Sequence, residues 1–243
     1  MGTLINAGLI ILGGAIGLIF KKAISENMEE SIHKATGIAV LIIGLSGVIT
    51  NLVSVGENGK LSSSGELMLV IALATGTFFG EMLRLEDRLT GACNKIEKKF
   101  KMSDFSSGFI SASMIYCIGA MAIVGAINDG LLHDSSTLIT KGIIDGITSV
   151  VLAASLGWGV LVAALPILIY QGALTLLASS LQNVLQGELL TNICIIGYAL
   201  VMCIGVNFLG NSEKKIKTVN MLPSLLIPVI YAGGKYVIAL MQN

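Results

Sequence analysis

Charge is scarce in this sequence. Only 12% of its 243 residues are Asp, Glu, Lys or Arg, against about 25% in an ordinary soluble domain. Fifteen basic side chains balance fifteen acidic ones, so there is no basic face for nucleic acid and no acidic tail. Cys93, Cys117, Cys194 and Cys203 form no CxxC pair, and His33 and His133 are the only imidazoles. That spacing argues against a zinc site or a disulfide frame, and no metal or cofactor is expected. The chain also lacks an HExxH motif, a Gly-rich phosphate loop and a nucleophile with an adjacent base, so no enzyme is expected. Aromatics make up 5%, and Trp158 with Tyr116, Tyr170, Tyr198, Tyr231 and Tyr236 are too dispersed for an aromatic cage. Trp158 reads instead as an interfacial anchor.

Apolar residues are abundant: 54% of the chain is hydrophobic and its mean hydropathy is +0.86. A bilayer-spanning helix needs roughly 20 mostly apolar residues. Such windows recur at 3–20, 36–54, 66–84, 108–127, 138–157, 159–180, 191–210 and 221–241. A barrel would show short alternating strands instead. The fold class is therefore all-α, a polytopic transmembrane helix bundle of seven to eight spans in one domain over 1–243. The range is open because the last window contains Pro223, Pro228 and "AGGK", so it either spans or is re-entrant. Lys21 and Lys22 follow the first window rather than precede it, which reads as a retained helix and not a signal peptide.

Basic residues cluster after alternate windows. Lys21, Lys22 and Lys34 follow the first; Arg84, Arg88, Lys95, Lys98, Lys99 and Lys101 follow the third; Lys214, Lys215 and Lys217 follow the seventh. The positive-inside tendency makes those connections cytoplasmic and puts the N-terminus outside. The polar stretch 54–66 reads as an outer loop of turn-type residues.

Laying 2–20 on 159–177 needs no gap, and "LIIGLSG" at Leu41 resembles "MCIGVNF" at Met202. This match reads either as an inverted repeat, with halves 1–105 and 108–243, or as chance similarity between apolar segments.

Ionisable groups at hydrocarbon depth are costly and should face protein or water. Asp145, about 10 Å into its helix at 1.5 Å per residue, shares a face with Lys141 at i−4 and Ser149 at i+4, with Thr148 alongside. Gly142 and Gly146 form a GxxxG pair that admits a close neighbour. The cluster reads either as oxygen ligands for a hard cation or proton relay, or as an ion pair that fixes packing while Lys141 snorkels outward. Glu81 follows a second GxxxG pair, Gly76 and Gly80. It is either an interfacial partner of Arg84 or an inner-side gate. Asn128 and Asp129 make an ordinary turn or line an outer mouth. Gln171 lies near a midplane, five residues after Pro166, while Asn6, Ser46 and Asn207 read by default as interhelical hydrogen-bonding residues.

Several blocks resemble the YqgA/YdfK-like uncharacterised family of bacterial inner-membrane proteins, domain of unknown function 554. They are "GTLINAG" at Gly2, "GTFFGEMLRLEDRL" at Gly76, "ASMIYCIGAMAIVGAINDGL" at Ala112, the run from Lys141 to Ala178, "IGVNFLG" at Ile204 and "VNMLPSLL" at Val219. The resemblance covers nearly the whole chain and implies a multi-pass bacterial membrane protein, with no catalytic residues to carry over. Its motif positions include Glu81, Asn128, Asp129, Lys141, Asp145 and Gln171. The functional expectation is a transporter or channel for a small solute or ion, proton- or sodium-coupled, with a path between helices three to six. The alternative is a membrane scaffold or sensor that recruits a partner through the basic segment 84–101. Expected partners are the lipid bilayer, the solute or ion, and a second copy in a homodimer.

Overall fold

The structure is a computed structural model describing residues 1–21, 25–56, 59–100, 105–117, 120–181, 184–210 and 215–241. Lys22, Lys101 and Lys214 of the basic clusters lie outside the described residues, as do the side chains of His33 and Tyr236.

The chain is a helical bundle. Its helices are α1 (Gly2–Lys21), α2 (Glu26–Leu52), α3 (Glu66–Leu83), α4 (Leu85–Phe100), α5 (Phe105–Cys117), α6 (Ala120–Leu132), α7 (Ser136–Leu156), α8 (Gly159–Val162), α9 (Ala164–Leu176), α10 (Ala178–Leu181), α11 (Gly187–Leu209) and α12 (Ile227–Met241). A 3-10 segment, Thr218–Leu226, precedes α12. Among the described residues six helices are long and apolar enough to cross a membrane, α8 and α9 counting as one over Gly159–Leu176, and α5 with α6, bent by 62° at their junction, supplies a seventh if the pair is one span. The last window divides between the end of the nine-residue 3-10 segment and the fifteen-residue α12. Pro223 lies inside the 3-10 run, where a missing N–H and a fixed φ oppose a continuous α-helix.

Lipid as solvent inverts the usual helix pattern. On α1 the large side chains Leu4, Leu12, Ile16 and Ile19 face outward, while Asn6, Ala7, Gly13, Gly14 and Gly17 are buried. Apolar side chains gain little by leaving lipid, so helices associate through small residues that allow close backbone contact. The pairing of α1 with α7 follows. A Cβ on Gly13 would overlap the Gly146 carbonyl, and one on Gly142 would lie 2.9 Å from Asn6 Cα. The expected GxxxG contact of α7 is thus with α1. The second pair, Gly76 and Gly80, seats α3 on Ser224 and Asn220 of the 3-10 segment. A third close pairing joins α2 to α11, where Gly44 and Gly47 meet Tyr198 and Met202.

Short elements finish the connections. The stretch expected as an irregular outer loop contains an antiparallel hairpin, β1 (Val53–Val55) on β2 (Leu61–Ser63), with Ser54 opposite Ser62. Arg84, at φ +49°, ends α3 in the left-handed conformation, its N–H reaching the Gly80 and Glu81 carbonyls. Helix α4 then turns away and is tied to the 3-10 segment. The Glu86 N–H donates to Asn220 Oδ1 at 2.7 Å, and Glu86 Oε2 accepts the Val219 N–H at 2.8 Å.

Candidate functional site

Polar side chains on four helices meet inside the bundle. From α7, Lys141 and Asp145 form an ion pair whose side chains are 7% and 8% exposed. The 3.6-residue helical repeat stacks them on one face. Ser149, one turn on, donates to the Asp145 backbone carbonyl at 2.7 Å and stands 2.6 Å from the Tyr116 hydroxyl of α5. Cys117 lies close enough to feel the charges of both Lys141 and Asp145. From α1, Asn6 Nδ2 donates to Gln171 Oε1 of α9 at 3.2 Å, and Asn6 also neighbours the Asp145 carboxylate. Asn6 therefore links the Gln171 amide of α9 to the ion pair of α7.

The cluster is not internally saturated. Asn6 Oδ1, Gln171 Nε2, Thr3 Oγ1 and Thr175 Oγ1 are all buried without a hydrogen-bond partner among the described residues. Exchanging the O and N assignments of the two amides changes nothing essential. Facing amides make one bond and leave one acceptor and one donor over. Thr3 lies one turn before Asn6 on α1, and Thr175 one turn after Gln171 on α9, so the unpaired groups run along both helices. Buried polar groups in hydrocarbon normally find partners.

Toward the N-terminal end of α1, Asp129 is 3% exposed and its Oδ2 accepts from the Met1 amino group at 3.0 Å. Ser135 donates to its other oxygen. Asn128 is half-buried beside it. The structure thus brings Asp145, Lys141, Ser149 and Gln171 together, and joins Asp129 to them only through α1. Thr148 stands apart, bonded to its own helix at Ile144 O over 2.8 Å. Glu81 is also separate. Its cation is Lys217, 3.4 Å away and half exposed, rather than Arg84, whose backbone caps the helix. Of the three default hydrogen-bonding residues only Asn6 bridges two helices. The Asn207 side chain clasps the Ile216 backbone, its Nδ2 donating to the carbonyl at 2.8 Å and its Oδ1 accepting the N–H at 2.7 Å, and the Ser46 carbonyl accepts from Thr50.

Tyr116, Cys117, Thr3 and Thr175 join the cluster without a sequence signal of their own, since a single hydroxyl or thiol in an apolar run is ordinary. Among the described residues no three His, Cys, Asp or Glu side chains converge on one point. A cavity of about 230 Å³ borders the cluster at Cys117 and is lined also by Ser113, Tyr170, Ile193, Gly197 and Leu222.

The sequence matches the family described as "Protein of unknown function (DUF554)" over residues 1–232. The chain belongs to this family. It is 35% identical over 238 residues to "Uncharacterized membrane protein YdfK" of Bacillus subtilis (strain 168), covering 96% of this chain and 98% of that one. It is 28% identical over 234 residues to "Uncharacterized protein YqgA" of Escherichia coli (strain K12), covering 93% and 94%. No solved structure matches the chain. With its apolar helices, the DUF554 assignment makes this a multi-pass membrane protein.

Proposed function

We propose that this protein is a transporter or channel for a small solute or ion in the bacterial cytoplasmic membrane, coupled to a proton or sodium ion. The observation that carries the reading is the set of unpaired polar atoms on Asn6 and Gln171 beside the Lys141–Asp145 pair. A packing role alone favours saturated partners, because each unmade hydrogen bond at this depth costs about 1–3 kcal/mol. A visiting cation, proton or water chain uses them. Asp145 then binds or relays the cation, and Lys141 competes with it for the carboxylate. Asn6 and Gln171 supply a neutral donor and acceptor, while Asn128 and Asp129 stand toward the outer surface. Glu81, paired with a half-exposed Lys217, serves the inner side.

The basic residues support an N-terminus outside. Lys21, Arg84, Arg88, Lys95, Lys98, Lys99, Lys215 and Lys217 follow α1, α3 and α11, and Lys217 reaches Glu81 across two of those connections. The test is ion flux in proteoliposomes. Wild type should dissipate a proton or sodium gradient, and Asp145→Asn should not. Equal rates in the two would remove Asp145 from the mechanism, and no flux for any ion would end the transport reading.

A further inference from the structure

Three cavities lie in file along α11. Glu188, Thr191 and Asn192 line the outermost; Ile193 and Gly197 line the middle; Ile204, Asn207 and Phe208 line the innermost. The final segment lines the same cavities in reverse order, through Ile227 and Tyr231, then Leu222 and Leu225, then Lys215 and Thr218. From Glu188 to Phe208 at 1.5 Å per residue is about 30 Å, the thickness of the hydrocarbon core. Asn192 of the outer cavity and Ile193 of the middle one are adjacent on α11, although the two cavities share no lining residue, whereas about two turns of α11 separate the middle cavity from the inner one.

The outermost cavity, about 540 Å³, has the chemistry of an ammonium site. Glu66 and Glu188 are its charged groups, and no cation lines it among the described residues. Asn192 is 6% exposed and nothing among the described residues hydrogen-bonds its amide. A Cβ on Gly65, which also lines the cavity, would stand 3.1 Å from Asn192 Oδ1, so this acceptor faces Gly65. The Tyr231 ring supplies an aromatic face. At the rim the chain's own Lys235 already shows the recognition: its Nζ sits 4.7 Å from the Tyr231 ring centroid and 3.3 Å from Glu188 Oε2. A cation over an aromatic face beside a carboxylate is the arrangement that holds organic ammonium ions. The Lys235–Glu188 side chains are 55% and 70% exposed, and exposed pairs are weak enough to yield to a competitor.

We infer that the outer cavity between α3, α11 and α12 is a binding site for a small organic ammonium ion, held by Asn192, Glu188 and Tyr231 with Lys235 as a tethered competitor. The inference rests on the transport reading only for its consequence, that this ion is the solute and enters along α11. The middle cavity, about 230 Å³ and largely apolar, limits that solute to a small one. It also brings the solute to Cys117, next in sequence to Tyr116 of the buried polar cluster.

The experiment titrates the purified full-length protein with ethylammonium chloride, with sodium chloride at equal ionic strength as control, and reads binding by calorimetry. Saturable binding to wild type is expected. Asn192→Leu and Glu188→Gln should each weaken it by about tenfold, the size of one charge-assisted hydrogen bond. Lys235→Met should tighten it, a gain that a merely structural lysine does not give. Binding no stronger than the control, or affinity unmoved by all three substitutions, overturns the site. Gradient flux that Asp145→Asn abolishes in a protein that does not bind ethylammonium sinks this inference and leaves the transport reading standing. Ethylammonium binding with the expected pattern in a protein that moves no ion sinks the transport reading and leaves the site.

Discussion

Asn6 of α1 and Gln171 of α9 are 165 positions apart in the chain, wholly buried, and bonded to each other through one amide hydrogen at 3.2 Å. Each keeps one further polar atom without a partner among the described residues. Replacing either by Leu strands the other, whereas replacing both leaves an apolar contact. In thermal unfolding in detergent, Asn6→Leu and Gln171→Leu should each cost about 1–2 kcal/mol. The double variant should be at least as stable as either single one, a coupling that a double-mutant cycle measures directly.

The ion pair of α7 should show the same asymmetry on a larger scale. Lys141→Met leaves a buried carboxylate alone, and loss of one partner from such a pair costs about 3–5 kcal/mol. Lys141→Met combined with Asp145→Leu should recover most of that loss in the same unfolding measurement. A Lys141→Met protein as stable as wild type would mean that Asp145 already has another cation.

Close backbone approach is a separate requirement. Gly13 and Gly146 touch across α1 and α7, so Gly13→Val must push the helices apart. Overpacking of this kind costs about 1–3 kcal/mol. Gly172, with open space around its α-carbon, should accept alanine with no loss in the same assay.

At the junction of α4 and the 3-10 segment, burial pushes the Glu86 carboxyl above its ordinary 4.5, against the lowering effect of the Val219 N–H bond. An acid whose folded value is raised binds its proton more tightly when folded. Its cost is therefore absent below about pH 4.5, grows as pH rises toward the folded value, and is complete above it. Glu86→Gln keeps an oxygen for Val219 and removes the charge. Its unfolding midpoint should equal or exceed wild type at pH 7, with the advantage vanishing on acidification.

The helical class and its membrane location were legible because they depend on composition and window length, which tertiary contacts do not change. Lys141, Asp145 and Ser149 were legible as a group because the helical repeat alone places them on one face. The contact between Asn6 and Gln171 was not, since their helices meet only through glycine packing that no local pattern specifies. The partner of Glu81 was misjudged for the same reason: Arg84 is near in sequence, yet its backbone conformation ends the helix and Lys217 arrives from 136 positions away. The 3-10 segment carried a proline signal, but its role as the seat for Gly76 and Gly80 depends on packing alone.

In the proposed mechanism the unpaired amide atoms of Asn6 and Gln171 serve an ion or solute rather than packing. Gradient-driven proton and sodium flux in liposomes, compared between wild type and a folded Asn6→Leu/Gln171→Leu protein, addresses that most directly. The account predicts flux in wild type and at least a tenfold slower rate in the double variant, equivalent to about 1.4 kcal/mol. Equal rates from a double variant of unchanged stability would contradict it.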